Sequence, residues 1–185
     1  MHVFSSAYNF FAMLSLHPHI TRTYFMAAGM TKGVYFFFLK AMCENSMKVY
    51  PMRLQPGTEI KSSLVEFVTS RQLNAAFVLT CCGSVIKATL RFATCPDQTH
   101  QIHTLNKCFE ITSLVGTICK DGAHLHITLG DSDGNTVAGH VVGDLIVQTT
   151  AEIVLGEVCD VQFKREFDKA TGFPELVISK HEMMK

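Results

Sequence analysis

Two periods of apolar and polar residues run along the chain from residue 47 onward, and the change from one to the other marks out the elements. KVYPMRL, at 48–54, reads as a first strand, stopped by the turn signal Gln55-Pro56-Gly57. Thr58 then stands as an N-cap, with Lys61 where a capping box would carry an acid. Ile60, Leu64, Phe67, Val68 and Leu73 recur at helical spacing and leave Lys61, Glu66 and Arg71 for solvent. That pattern predicts an amphipathic helix packed on a sheet. Residues 75–84 are nearly continuously apolar, as a central strand covered on both faces would be. Residues 85–93 alternate instead, with Lys87, Thr89 and Arg91 on one side and Ile86, Ala88, Leu90 and Phe92 on the other.

Residues 95–107 (CPDQTHQIHTLNK) are polar and read as a solvent-facing loop or ragged edge carrying His100 and His103. Residues 108–119 return to strand, with Glu110, Thr112, Leu114 and Gly116 on one face. Residues 145–158 form a strand longer than about 10 residues, so a bend is expected, with Gly156 as its site. The stretch 163–179 pairs two strand-like pieces around 168–172, with Arg165, Glu166 and Lys169 as a solvated face. Together these elements define an α+β fold. Its sheet is mainly antiparallel (mixed), and one principal amphipathic helix packs on it.

The candidate chemistry sits in GAHLHITLGDSDGNTVAGHVVG, at 122–143, which holds three of the nine histidines. Ala123, Leu125, Ile127 and Leu129 alternate with His124, His126 and Thr128, so both histidines leave a strand on one face. A three-residue loop, Ser132-Asp133-Gly134, would set His126 opposite His140, with Cβ atoms roughly 4.5–5.5 Å apart. A two-residue Asp133-Gly134 turn would shift the pairing by one and send His140 to the other face. In the first register His124, His126 and His140 form a patch suited to zinc or another divalent transition metal, with a fourth position open. In the second they are ordinary strand histidines. Gly122, Gly139 and Gly143 would permit close backbone approach around them.

Composition narrows the functional classes. The 185 residues suffice for one ordinary domain plus an extension. Sixteen basic residues balance sixteen acidic ones, and no Arg-Gly-Arg-Pro run occurs, so direct nucleic-acid binding has no electrostatic support. Seven scattered cysteines without a CxxC pair read as reduced, mostly buried residues of an intracellular protein, cytoplasmic or nuclear. Adjacent Cys81 and Cys82 point to opposite strand faces. Residues 1–46 are apolar and carry no acid before Glu44. They read as an atypical extension ahead of a domain at 47–180, with 181–185 as a tail. Neither apolar run there reaches the roughly 18–20 residues of a membrane span. No basic residue precedes Arg22, against a secretory signal, while the lack of acids keeps a mitochondrial address open. Phosphate-cradling loops, nucleophile elbows and HExxH are absent from the sequence.

PMRLQPGTEI at 51–60, FEITSLVGTI at 109–118, GAHLHITLGDSDGNTVAGHVV at 122–142 and TTAEIVLGE at 149–157 occur in an order that resembles the plant-and-prokaryote-conserved (PPC) domain. The likeness is to the stand-alone prokaryotic type rather than the plant type with AT-hooks. It implies a compact α+β domain that assembles as a homotrimer, with a metal on the histidines of this hairpin in some members. It supplies no reaction. It also places Glu110 near the hairpin, as a candidate general base or partner to a metal-bound water. Three functions stay open. One is a metal-binding domain that holds a small ligand or protein partner. Another is a metal-dependent enzyme, hydrolase- or lyase-like. The third is an assembly module with indirect DNA association.

Overall fold

The structure, a computed structural model, describes residues 46–94 and 99–180. The expected extension before Ser46, the first residues of the polar 95–107 stretch and the 181–185 tail lie outside them. Seven strands and a helix follow in the order β1 (Met47–Leu54), α1 (Ile60–Ser70), β2 (Ala76–Arg91), β3 (Ile102–Cys119), β4 (Gly122–Gly130), β5 (Thr136–Val158), β6 (Val161–Asp168) and β7 (Phe173–Lys180). Among the described residues the fold is thus largely antiparallel sheet with one short helix. Every strand pairing among the described residues is antiparallel, so the mixed component expected of the sheet is not found there.

The main sheet runs β1-β5-β2-β3-β4, and β4 pairs back onto β5. Strands β2, β3, β4 and the first half of β5 therefore close on themselves, which removes open edges at that end. Strand β1 lines the second half of β5, and β6 and β7 form a separate ribbon. Leu90, Leu125, Leu129 and Val141 point inward and are fully buried, in one core with Ile60, Leu64 and Val68 of α1. The helical stripe read from the sequence is the face that packs on the sheet, with Phe67 at its edge.

Several local expectations change for identifiable reasons. Glu59, not Thr58, caps α1: its Oε2 accepts from the Ser62 backbone N–H at 2.6 Å, and its Oε1 from Leu145 N at 3.0 Å. Thr58 instead offers its carbonyl to Val147 N. Lys61 is half-buried rather than free in solvent, because its Nζ donates to the carbonyls of Val141 and Val142. In β2 a bulge between Val85 and Lys87 breaks the alternation, leaving Ile86 exposed. Residues 102–107 are strand rather than loop, since β2 supplies them with partners from Lys87 to Arg91. Strand β5 runs unbroken from Thr136, and its irregularity falls near Asp144, which has φ +52°, with register shifts against β2 on either side. Gly156, expected at the bend, instead lies under the ring of Phe77. Of the described cysteines, Cys81 and Cys119 are buried while Cys82 and Cys108 are exposed, so burial is less general than expected. Among the described residues no helix is long and apolar enough to cross a membrane.

Candidate metal centre

The turn between β4 and β5 decides the geometry. Asp131 accepts at Oδ1 from the backbone N–H groups of Asp133 and Asn135, both at 2.9 Å, and Lys107 Nζ lies 2.8 Å from its Oδ2. That ammonium, with the backbone donors, holds the Asp131 pKa down at about 2. The Asp131 backbone N–H bonds to the Asn135 carbonyl, leaving Ser132-Asp133-Gly134 as the loop, with Gly134 at φ +80°. Of the two registers open from the sequence, the three-residue one is present. Gly130 faces Thr136, Thr128 faces Ala138 and His126 faces His140.

All three histidines leave the outer surface of the closed sheet, with Leu125, Ile127 and Val141 pointing inward between them. His124 Nε2 and His126 Nε2 stand 3.2 Å apart. Ring centroids are separated by 5.2 Å (His124–His126), 5.0 Å (His124–His140) and 5.4 Å (His126–His140). One nitrogen from each ring lies within 4.8 Å of the other two. Gly116 on β3 makes this packing feasible. It adopts φ +147°, and a Cβ there would overlap the His124 carbonyl oxygen. Gly139, beside His140, is likewise tight against Arg91 O, as its sequence position suggested, whereas Gly122 and Gly143 face open space.

Electrostatics favour neutral rings. Burial first, then the Arg91 guanidinium, the neighbouring imidazoles and Lys61, push the His140 pKa down to about 4. His124 is lowered by burial, then by Arg165 and His126, with Glu175 opposing. Neutral imidazole is the form that ligates a metal, so no proton need leave these two rings at neutral pH. Nitrogens about 2.0–2.1 Å from a tetrahedral zinc stand about 3.3 Å from one another, close to the His124–His126 spacing. His140 Nδ1 is buried with no hydrogen-bond partner, a deficit that an ion or a second donor would relieve. On these counts the donor set fits a metal.

The other candidates fall elsewhere. Glu110 is exposed and paired across from Gly130 and Ser84. It lies five residues along β3 from Val115, the neighbour of His126, or about 17 Å at strand spacing. The structure does not bring it to the histidines. His103 stacks on Phe92 with centroids 4.7 Å apart, and the His100 ring meets that of Phe173 edge-on. Neither joins the cluster. Two residues that the sequence did not single out do sit beside it. Arg91 on β2 pairs directly with His140. Arg165, expected on a solvated face, is half-buried and donates from Nη2 to Thr117 Oγ1 at 2.5 Å, and Thr117 pairs with His124. Alternation gave a hint for Arg91, whereas nothing in the chain's local pattern marks Arg165.

The closed antiparallel sheet with α1 packed on it is the fold of a known class of small domain. The chain belongs to the Plants and Prokaryotes Conserved (PCC) domain family, whose profile matches residues 41–159. It is 44% identical over 136 residues to the bifunctional protein GlmU of a Synechococcus strain, covering 74% of this chain. It spans about a fifth (21%) of the length of the curated GlmU relatives it matches. A solved hypothetical protein from Salmonella enterica superposes with TM-score 0.68 and 37% identity, over 74% of this chain and 96% of that one. A metal-containing protein from Archaeoglobus fulgidus shares the fold with TM-score 0.62 and 23% identity, over 70% and 93% of the respective chains.

Proposed function

We propose that this chain is a metal-binding PPC-type domain. In this reading His124, His126 and His140 hold one divalent transition-metal ion, zinc first, and the domain offers the ion's open position to a small ligand or protein partner. The observation that carries it is the convergence of three imidazole nitrogens within 4.8 Å on one outward face, in the one register that allows it. The metal-containing Archaeoglobus relative is consistent with it. A homotrimer, as the family resemblance implies, belongs to the same proposal. Sedimentation of the purified chain tests it, and a monomer at micromolar concentration refutes it.

A second reading, a metal-dependent hydrolase or lyase, draws on the same site. A zinc with three protein ligands lowers the pKa of bound water to about 7 and polarises carbonyl or phosphoryl oxygens. Within one chain Glu110 lies about 17 Å along β3 from the neighbour of His126, too far to serve that water as base. A third reading, an assembly module with indirect DNA association, needs no ion. Metal analysis of the purified protein beside a variant with His124, His126 and His140 all changed to Ala separates these readings. The expected result is about one ion per chain in the first and none in the second, with both folded by circular dichroism. Equal metal in both, or none in either, defeats the metal site. Turnover of small esters, phosphates or carbonyl compounds by the metallated protein would favour the enzyme over the binding domain.

A further inference from the structure

Among the described residues, two buried polar side-chain atoms lack any hydrogen-bond partner: His140 Nδ1 and Arg165 Nε. Both belong to the histidine face. Arg165 reaches it from β6, its Nη2 on Thr117 opposite His124. Arg91 reaches the opposite flank from β2, in register with His140, and its guanidinium lies over the Phe173 ring at 4.9 Å. Neither guanidinium makes a salt bridge among the described residues; the ion pairs found there are Lys87–Asp144 and Lys107–Asp131. Lys61 adds a third positive charge, held on the carbonyls of Val141 and Val142. The acid acting on this face is Glu175 of β7, near His124.

Neutral imidazoles leave a bound dication its full charge. Placed between two guanidiniums and an ammonium, with one carboxylate opposing, that charge is under-compensated. An orphaned, buried guanidinium N–H costs the desolvation of a charged donor unless an acceptor meets it. Both deficits have the same remedy. We infer that Arg91 and Arg165 form the walls of a binding site for a small oxyanion, a carboxylate or phosphate group, seated over the three histidines. Guanidiniums suit this role because their planar forks match the paired oxygens of such groups, and a neutral ligand would leave them unmet. The inference rests on the metal reading for the ion, but the two arginines are placed by the strands and by Thr117 whether or not an ion is present.

The test uses the full chain, as purified and after zinc loading. It is titrated calorimetrically with inorganic phosphate, with succinate, and with succinamide as the uncharged counterpart. Metal content is measured on the same samples. Phosphate, succinate or both should bind, and succinamide should not. Arg91→Gln should weaken anion binding about ten- to a hundredfold, as loss of a charged hydrogen bond does, while zinc stoichiometry stays at the wild-type value. Arg165→Lys, which keeps the charge but not the fork, should weaken it less than Arg165→Gln. If Arg165→Gln fails to fold, Arg91→Gln decides alone. Zinc uptake without anion binding, or with binding equal in Arg91→Gln, overturns the anion site and leaves the metal site standing. Arginine-dependent anion binding by a chain that takes up no zinc supports the anion site and overturns the metal one.

Discussion

At the level of single residues, burial and neighbouring cations favour the neutral form of His124 and His140, and this gives the metal-free protein a pH signature. The folded pKa of His140 is about 4 and that of His124 is also lowered, while an unfolded histidine titrates near 6.5. Between those values the unfolded chain binds more protons than the folded one, so stability rises with pH in that window. Metal-free protein should therefore lose stability as pH falls from about 7 toward 4, and His140→Ala should flatten that loss. Urea midpoints at half-unit pH intervals check this, and parallel profiles for the two proteins would be the contrary result. The histidines were legible in the sequence because period-2 alternation fixes a face without tertiary information. Arg165 was not. Its FKREFD neighbourhood reads as solvated, and only the docking of β6 against β3 brings its guanidinium to Thr117. Glu110 shows the opposite error, since a residue on the strand next to a site need not be at the site when the strand is 18 residues long.

At the level of elements, the β4–β5 hairpin works because its turn and its neighbour β3 agree. The sequence left two registers open. Asp131 selects one by gathering Asp133 N, Asn135 N and Lys107 Nζ around its carboxylate. Gly116 contributes from the other side, letting β3 approach the His124 backbone at a φ that side chains rarely adopt. Gly116→Ala should cost about 2–4 kcal/mol, combining backbone strain with a clash against main chain. Thermal melts check it, and a change within experimental error would show that β3 can retreat without penalty. The apolar half of β2, expected to be covered on both faces, leaves Leu79 and Cys82 exposed, whereas α1, with its uninterrupted period, could be read directly. The bulge at Val85–Lys87 and the irregularity at Asp144 could not, because each arises where a strand must satisfy two partners whose registers disagree.

For the whole molecule, one contiguous core runs from α1 through the closed sheet, and the residues packed in or against it begin at Tyr50 among those described. We therefore propose that the domain is self-sufficient from Met47. A chain starting there should melt at the same temperature as the full-length protein, and a large loss of stability or solubility would refute it. The antiparallel class and the helix α1 were predictable from the periods. Closure of β2, β3, β4 and β5 into a ring, with β5 pairing to both the adjacent β4 and the distant β2, was not, since it depends on twist accumulated over four strands rather than on any one of them. That closure has a kinetic consequence. Strand β5 serves β1, β2 and β4 alike, so Met47 must find Val158 and Ala76 must find Glu157 before the ladder is complete. Chains dominated by such distant pairings fold in milliseconds to seconds. The local hairpin can form well before its remote neighbours arrive, so during refolding the three imidazoles converge while their guanidinium flanks have yet to assemble.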